Sequence, residues 1–232
     1  MFRKIVTMLI VITFLLIPVY SFTYDSDSKD EADTKEEIAE KERDTRKYQS
    51  ISEYSVSIFS LGDGLGRCSG VIIGESSRET YVLTCKHCLN ISEEFYVENN
   101  KVKLIITSAT DDLAYLIVDG KIRDKYPVRL SPYQSKLKEK VYHVAYPDFD
   151  IYESKGNVFK YTDDWGWAKM NVRPGCSGGG IFNEYEELIG IVWGALANGE
   201  DITLFEPLND IKEFLSEVEN LEIKKIQGGG SL

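Results

Sequence analysis

The 232-residue sequence contains only two histidines and four cysteines. His87 and His143 are therefore its only imidazole bases, and Cys85 and Cys88 are its only cysteines with the spacing of a zinc-binding pair. Because no second pair with that spacing exists, we expect neither zinc nor another metal. The four cysteines allow one or two disulfides, and the sequence alone leaves three full connectivities open.

Positive charge is also scarce, because 27 Lys and Arg residues are set against 38 Asp and Glu residues, giving a formal net charge of -11. An acidic protein repels phosphate backbones, so we expect no nucleic acid partner. We expect no cofactor either. The 43% hydrophobic content suits a packed globular core, which excludes a chain that is disordered throughout.

No apolar run reaches the roughly 20 residues that cross a bilayer comfortably. The longest covers residues 5–20 and follows Arg3 and Lys4, and Val19-Tyr20-Ser21 offers a place for cleavage. We therefore interpret residues 1–21 as a cleaved signal peptide and favour it over an uncleaved anchor. Removing Arg3 and Lys4 moves the formal charge from -11 to -13. We therefore expect an exported protein that is secreted, periplasmic or associated with the cell envelope. We expect it to contact a membrane only if residues 1–21 are not cleaved.

Within residues 22–50, positions 25–49 mix Asp, Glu, Lys and Arg, and Ile38 is their only branched aliphatic residue. Such a segment cannot supply a buried face, so we predict a solvated acidic linker that forms at most a transient helix. At the other end, Gly228-Gly229-Gly230 indicates a frayed tail. We assign the folded domain to residues 51–220 and a flexible tail to residues 221–232.

Short apolar runs separated by Gly, Asn, Asp, Ser and Pro fill the domain, a pattern typical of an all-β barrel or sandwich. Many runs are rich in Val, Ile, Tyr or Thr, which favour strands. The predicted strands cover residues 53–59, 69–73, 81–84, 101–107, 114–118, 140–145, 168–172, 188–194 and 202–205. Ile211, Phe214, Leu215 and Val218 recur at helical spacing, so a final helix is predicted from residue 210 to about 218.

The motif Pro174-Gly175-Cys176-Ser177-Gly178-Gly179-Gly180 surrounds one serine with glycines. Glycine permits a tight turn that exposes the hydroxyl and aims successive backbone N–H groups at a developing oxyanion. A serine hydroxyl needs a base with a pKa near neutrality before it attacks a carbonyl. This requirement points from Ser177 to a histidine.

His87 follows a predicted strand, where a loop can present its ring, whereas His143 lies inside an alternating strand and is interpreted as structural or solvent-facing. The carboxylate that orients such an imidazole comes from the pair Asp111-Asp112, which precedes another strand. Asp112 follows His87 by 25 residues, and Ser177 follows Asp112 by 65. This order and spacing support a catalytic triad more strongly than any one of the three residues does alone.

Taken together, these motifs resemble the chymotrypsin-fold serine peptidases, and within them the bacterial high-temperature-requirement (Deg) proteases. Nearly the whole domain takes part in the resemblance. The matching segments are residues 81–84 leading into His87, Asp112-Leu113-Ala114, residues 141–147, residues 170–179, residues 188–191 and residues 204–207. Because Asp112 is directly followed by the Leu-Ala of the family motif, Asp111 is the weaker alternative.

The resemblance implies two six-stranded antiparallel β-barrels with the site in the cleft between them, followed here by the predicted helix. It implies that Ser177 attacks, that His87 shuttles the proton and that Asp112 orients the ring. The backbone N–H groups of Gly175 and Ser177 would then bind the oxyanion. The implied activity is that of a serine endopeptidase, and the implied partner is a protein or peptide substrate.

Substrate contacts are implied as well. Val192-Trp193-Gly194 resembles the segment that pairs with an extended substrate, although it is equally well interpreted as a core strand. Asn171 falls where the family lines its primary specificity pocket, and a neutral Asn gives no reason to expect cleavage after Arg or Lys.

The cysteines depart from or extend the family pattern. The resemblance implies a Cys68–Cys88 disulfide. Cys85 and Cys176 then pair with each other, stay as buried thiols or respond to redox state, and the sequence leaves these alternatives open. Cys176 replaces the Asp that pairs with a new amino terminus in zymogen-activated relatives.

No Arg-Ile-Val-Gly-Gly motif precedes the domain either, so we predict activity without proteolytic activation. Gly180 replaces a usual Pro and is interpreted as tolerated. We also expect no appended peptide-binding domain. Two alternatives stay open, a catalytically inactive binding protein with the protease fold and a hydrolase of small esters.

Overall fold

The computed structural model describes the backbone of residues 27–60, 66–89, 94–196 and 201–228. The predicted signal peptide, residues 1–21, lies outside the described residues. None of the helices in these ranges combines the length and the hydropathy that are needed to cross a membrane. The chain divides into two compact units, Met1–Glu42 and Arg43–Leu232, and every strand of the described ranges lies in the second.

The first helix, α1, covers Asp27–Ser52, and its end belongs to the second unit. There Ile51 is fully buried and Asp44 is 8% exposed. Asp44 forms an ion pair with Lys155 and accepts a hydrogen bond from the Tyr142 hydroxyl at 3.2 Å. The structure therefore differs from the predicted linker over residues 43–50. This segment packs through Tyr48 and through the ion-paired Asp44, and its low content of apolar residues did not indicate such packing.

Six strands form the first closed antiparallel barrel, with the order β1-β2-β3-β6-β5-β4. They are β1 (Ser55–Ser60), β2 (Arg67–Glu75), β3 (Glu79–Cys85), β4 (Phe95–Val97), β5 (Asn100–Thr107) and β6 (Leu113–Asp119). A short 3-10 helix, Lys86–Leu89, follows β3. β3 and β6 pair along their full lengths, from Glu79 opposite Asp119 to Cys85 opposite Leu113.

The second closed barrel has the order β10-β11-β12-β9-β8-β7. Its strands are β7 (Lys140–Ala145), β8 (Tyr152–Tyr161), β9 (Gly166–Lys169), β10 (Gly180–Phe182), β11 (Leu188–Ala195) and β12 (Ile202–Pro207). The expected pair of six-stranded antiparallel barrels is confirmed. The nine predicted strands correspond to nine of the twelve, and β4, β8 and β10 are additional.

The final helix, α2, covers Leu208–Gly228. Ile211, Phe214 and Val218 are buried as their spacing predicted, and they belong to a hydrophobic core that contains residues of both barrels. The helix begins two residues earlier than expected and continues ten residues beyond residue 218. The structure therefore has helix over residues 221–228 where we predicted a flexible tail, and residues 229–232 lie outside the described ranges.

Candidate active site

The pairing of β3 with β6 brings His87 and Asp112 together. Cys85, the last residue of β3, lies opposite Leu113, the first residue of β6, so the residues just beyond the two strands are neighbours. Asp112 Oδ1 accepts the backbone N–H of His87 at 2.8 Å, and Asp112 Oδ2 is hydrogen-bonded to His87 Nδ1. Because an ionised carboxylate only accepts hydrogen bonds, the imidazole proton lies on Nδ1 and the Nε2 lone pair is left for a substrate proton.

Asp111, the weaker alternative for this role, takes part in a local turn instead. Its Oδ2 accepts hydrogen bonds from the hydroxyls of Ser108 at 2.9 Å and Thr110 at 2.8 Å. The structure thus supports the choice between the two neighbouring aspartates, since the imidazole contact belongs to Asp112.

The turn that carries Ser177 is held by a hydrogen bond at almost every peptide. Cys176 N–H donates to Arg173 O at 3.0 Å, Gly178 N–H to Val192 O at 2.7 Å and Gly179 N–H to Cys176 O at 2.9 Å. The carbonyls are held as well, because Ser177 O accepts the backbone N–H of Ser69 at 2.8 Å.

Glycine is required twice in this turn. Gly175 has a φ of +92° and Gly178 a φ of +84°, a region that other residues rarely adopt. A Cβ at Gly178 would lie 2.1 Å from both Ser69 O and Thr84 Oγ1. The glycines of the motif therefore permit both the turn and the close approach of the two barrels.

Two donors of the turn stay available. No hydrogen bond within the described part of the chain occupies the N–H groups of Gly175 and Ser177. These are the two groups that the resemblance implies as oxyanion donors. Backbone N–H groups that are fixed in place and unoccupied suit a developing negative charge.

The Ser177 hydroxyl donates to Trp193 O at 3.4 Å, and no hydrogen bond among the described residues joins it to His87. The two residues nevertheless contact the same atom, because Cys88 Sγ lies 4.0 Å from His87 Nε2 and 3.8 Å from Ser177 O. Catalytic hydrogen bonds are often long or misaligned without substrate.

The cysteines resolve into one disulfide and two buried thiols. Cys68 and Cys88 form the disulfide that the resemblance implied, with their Cα atoms 6.1 Å apart. Cys85 and Cys176 are both free and fully buried, so they do not pair with each other. Cys85 Sγ donates to Val192 O at 3.1 Å. Burial raises the pKa of both thiols, which disfavours the reactive thiolate.

A cavity of about 220 Å³ opens beside Ser177. It is lined by Val172, Arg173, Pro174, Cys176, Ser177, Val192, Gly194 and Ala195. Val192 and Gly194 therefore lie where the resemblance implied substrate contacts. Asn171 is not among the lining residues; it is exposed, and its carbonyl accepts the Tyr152 hydroxyl at 3.4 Å. Its neighbour Val172 occupies the cavity wall in its place, so the pocket is lined chiefly by small and aliphatic side chains.

Trp193 borders a second cavity, of about 460 Å³, which Asp112 also lines. Its wall contains two tryptophans and six acidic residues. They are Trp165, Trp193, Asp111, Asp112, Asp163, Asp164, Glu206 and Asp210, and Thr110 completes the lining. The carboxylate oxygens of Asp111, Glu206 and Asp210 lie within 4.8 Å of one another. This acidic wall was not predicted, because its members are far apart in the sequence.

Glu206 is a residue of this wall that contacts the backbone of Asp112. It is 2% exposed, and its Oε1 accepts the backbone N–H of Asp112 at 3.2 Å. Burial, together with the neighbouring carboxylates Asp111 and Asp210, raises the pKa of Glu206 to about 7. The sequence contains one signal for it, a lone acidic residue in the otherwise buried strand β12.

Comparison with known proteins agrees with this architecture. The sequence model of the trypsin-like peptidase domain matches residues 68–191. Among solved structures, the active form of the Rv3671c protease from M. tuberculosis is 16% identical with a TM-score of 0.64, over 73% of this chain and 82% of that one. Its inactive form is 17% identical with a TM-score of 0.63, over 74% and 92%.

The serine endoprotease from Yersinia pestis is 21% identical with a TM-score of 0.63, over 76% of this chain. The match covers 65% of that structure. Identities this low show a shared fold, whereas the family match covers more than half of the sequence. The chain belongs to the family of trypsin-like peptidase domains and is a serine-type endopeptidase.

Proposed function

We propose that this protein hydrolyses peptide bonds through Ser177, His87 and Asp112 and a covalent acyl-enzyme intermediate. The observation that carries the proposal is the double hydrogen bond from His87 to Asp112. These hydrogen bonds set the tautomer of His87 that leaves Nε2 free to accept a proton. His87 is one of only two histidines in the sequence.

In the first half of the reaction the Ser177 hydroxyl leaves Trp193 O and turns to His87 Nε2. The serine oxygen attacks the substrate carbonyl carbon while its proton passes to Nε2, and Asp112 stabilises the imidazolium. The carbonyl oxygen takes the negative charge and is bound by the N–H groups of Gly175 and Ser177. When the C–N bond breaks, the proton on His87 passes to the leaving amine.

The second half uses the same groups in the same order. A water molecule gives its proton to His87 Nε2 and attacks the acyl carbon, and the oxyanion is again bound by Gly175 and Ser177. The serine ester bond then breaks and the Ser177 oxygen regains its proton from His87. The products are a free carboxylic acid, a free amine and the unchanged enzyme.

An extended peptide fits beside β11. β10 pairs with β11 only as far as Ile191, so that among the described residues one backbone edge from Trp193 onward lacks a neighbouring strand. Trp193 O contacts Ser177 Oγ and therefore faces the cleft. We propose that this edge pairs with substrate by strand addition. The cavity beside Ser177 supports cleavage after a small aliphatic residue, since Val172, Val192 and Ala195 line it.

The nucleophile turn supports activity without a cleavage step. Cys176, which replaces the aspartate of zymogen-activated relatives, is fully buried. The hydrogen bonds to Arg173, Val192 and Ser69 hold the turn and need no new amino terminus. We expect the folded domain to be active without proteolytic activation.

Export is part of the proposal. The Cys68–Cys88 disulfide suits an oxidising compartment, and the apolar run at the amino terminus suits a signal peptide. The localisation test is fractionation of cells that produce the full chain, with the mass of the exported product deciding between a cleaved peptide and an anchor.

One observation favours an inactive binding protein instead, namely the hydrogen bond of Ser177 to Trp193 rather than His87. A fluorophosphonate probe decides between the two, because it labels only an activated serine. We expect labelling of the wild type at neutral pH and none of Ser177→Ala. A folded wild type that resists the probe would refute the enzyme proposal. A peptide-library digest, run beside small acyl esters, then separates a peptidase from an ester hydrolase.

A further inference from the structure

Ser69 is a buried residue of the first barrel that contacts the nucleophile turn of the second. It lies in β2 directly after Cys68 of the disulfide and is fully buried. Its backbone N–H donates to Ser177 O at 2.8 Å. Its hydroxyl donates to Gly175 O at 2.9 Å. One residue thus holds carbonyls on both sides of Cys176.

The direction of these hydrogen bonds is fixed by a count of protons. Tyr146 N–H donates to the Ser69 hydroxyl at 2.9 Å, so the hydroxyl accepts there. A serine hydroxyl has a single proton to give, and that proton is therefore committed to Gly175 O. The Ser69 carbonyl is occupied too, because it accepts the Thr84 hydroxyl at 2.8 Å.

The peptide between Gly175 and Cys176 is consequently held at both of its polar atoms. Ser69 holds the carbonyl, and Arg173 O accepts the N–H of Cys176 at 3.0 Å. Gly175 itself has a φ of +92°, and a Cβ on it would lie 2.7 Å from the Cα of Pro147. Pro147 follows Tyr146, so the Ser69 hydroxyl also ties down the segment that covers Gly175.

We propose that Ser69 is a positioning residue of the oxyanion hole. Its hydroxyl fixes the Gly175–Cys176 peptide in the orientation that leaves the Gly175 N–H pointing away from the protein's own acceptors. The inference rests on the proposed function, in which that N–H binds the oxyanion. It adds to that function a residue on the other barrel, with no contact to the reacting atoms.

The substitution Ser69→Ala removes one donor and one acceptor. The partly buried Gly175 carbonyl then lacks its partner, and because an unpaired carbonyl raises the free energy of the native conformation, we expect it to shift towards another donor. The Gly175 N–H belongs to the preceding peptide, and we expect a shift of the Gly175 backbone that accompanies the freed carbonyl to displace this N–H from the oxyanion position. Loss of one oxyanion donor costs about 10²–10³-fold in kcat, and we expect a loss of roughly tenfold to a hundredfold here because the donor is misplaced rather than removed.

The experiment compares Ser69→Ala with Thr84→Val. The second variant removes the hydrogen bond to the carbonyl of the same buried serine and leaves Gly175 O untouched. We expect Ser69→Ala to lower kcat with KM unchanged, and Thr84→Val to retain wild-type kcat. A peptide boronic acid built on a sequence from the library digest forms a tetrahedral adduct, so its affinity should fall by the same factor as kcat/KM.

Equal kcat in wild type and Ser69→Ala would overturn the proposal, as would an equal loss in Thr84→Val or an unchanged affinity for the boronic acid. If Ser69→Ala does not fold, Ser69→Cys replaces it, because a thiol fills the site but donates weakly. We then expect a smaller loss of kcat of the same kind. Failure of the proposed function is distinguishable, since the fluorophosphonate would then leave the wild type itself unlabelled.

Discussion

Asp112 accepts two hydrogen bonds from His87, one from its backbone N–H at 2.8 Å and one from its ring Nδ1. The carboxylate therefore fixes both the loop that carries the histidine and the tautomer of its imidazole. Asp112 is itself held, because its backbone N–H donates to Glu206 and its carbonyl accepts the N–H of Lys86 at 3.1 Å. The geometry of the base is thus set before any substrate arrives.

Asp112→Asn should abolish most of the activity while leaving the fold intact. An asparagine amide donates where the carboxylate accepts, so the imidazole takes the other tautomer and Nε2 becomes protonated. A loss of about 10⁴-fold in kcat is expected from this change. The measurement is peptide hydrolysis under saturating substrate.

Asp111→Asn is the matched control for that substitution. Asp111 contacts Ser108 and Thr110 and does not reach the imidazole, so its variant should retain activity. If Asp111→Asn were as inactive as Asp112→Asn, the assignment of the carboxylate would be wrong.

The strands that could be predicted from the sequence are those with a clear apolar pattern. β8 was missed because most of its ten residues are polar or half-exposed, with Val158 alone fully buried. β4 and β10 have three residues each, too few for a pattern to develop, and β10 also begins in the glycine motif. The sequence therefore predicts strands that bury an apolar face. Strands that are short, or that have mostly polar side chains, form through pairing with neighbouring strands, which the sequence pattern does not indicate.

The triad could be predicted for a different reason. Only two histidines compete for one role, and glycines mark the nucleophile turn. Ser69 and Glu206 could not be found in this way, since each acts through a contact between segments more than 90 residues apart. Val172 rather than the predicted Asn171 lines the cavity beside Ser177, because a spacing carried over from a family does not determine which of two adjacent residues faces a cavity, and the role of Asn171 in specificity stays a prediction.

Gly178→Ala should destabilise the fold and remove activity. The new Cβ would lie 2.1 Å from Ser69 O, and the backbone would keep an unfavourable positive φ. Strain of this kind costs roughly 1–3 kcal/mol before the clash is added. Chemical denaturation measures the free energy of unfolding.

Gly194→Ala is the control, because nothing lies within 4 Å of its new Cβ. Its stability should match the wild type. Since Gly194 lines the cavity beside Ser177, the extra methyl group should narrow the range of cleaved residues in the peptide-library digest. Unchanged cleavage by this variant would argue against substrate binding along this part of β11.

His143 should make the fold sensitive to acid. It is fully buried, its Nδ1 donates to Gly180 O at 2.8 Å, and burial lowers its pKa from 6.5 to about 4. The unfolded chain therefore binds a proton more readily than the folded one. Its contribution to stability is complete above pH 6.5 and is lost as the pH falls towards 4, by up to about 3 kcal/mol.

The variant His143→Gln keeps an N–H donor for Gly180 O and does not titrate. We expect the free energy of unfolding of the wild type to decrease relative to that of the variant as the pH is lowered from 6.5 to 4. NMR gives a direct check, because the ring signals of only two histidines need assignment. A His143 ring that titrates near pH 6.5 in the folded protein would contradict the prediction.

Glu206 should have the opposite effect from His143 on the pH dependence of stability. Its pKa rises from 4.5 to about 7, so the folded protein binds its proton more tightly than the unfolded chain. The resulting stability is complete below pH 4.5 and is lost as the pH rises through 7, by about 2 kcal/mol once residual solvation is allowed for. Glu206→Gln preserves an acceptor for the Asp112 N–H and removes this dependence.

His143 and Glu206 have opposite effects on the free energy of unfolding over the same pH range. Replacing one or the other should therefore change the slope of stability against pH in opposite directions. Between pH 4.5 and 6.5, Glu206→Gln leaves the histidine contribution, so stability rises with pH. His143→Gln leaves the carboxyl contribution, so stability falls. Glu217→Gln, an exposed change on α2 with the same effect on net charge, should resemble the wild type. Equal slopes for all of these proteins would show that neither group titrates as its burial requires.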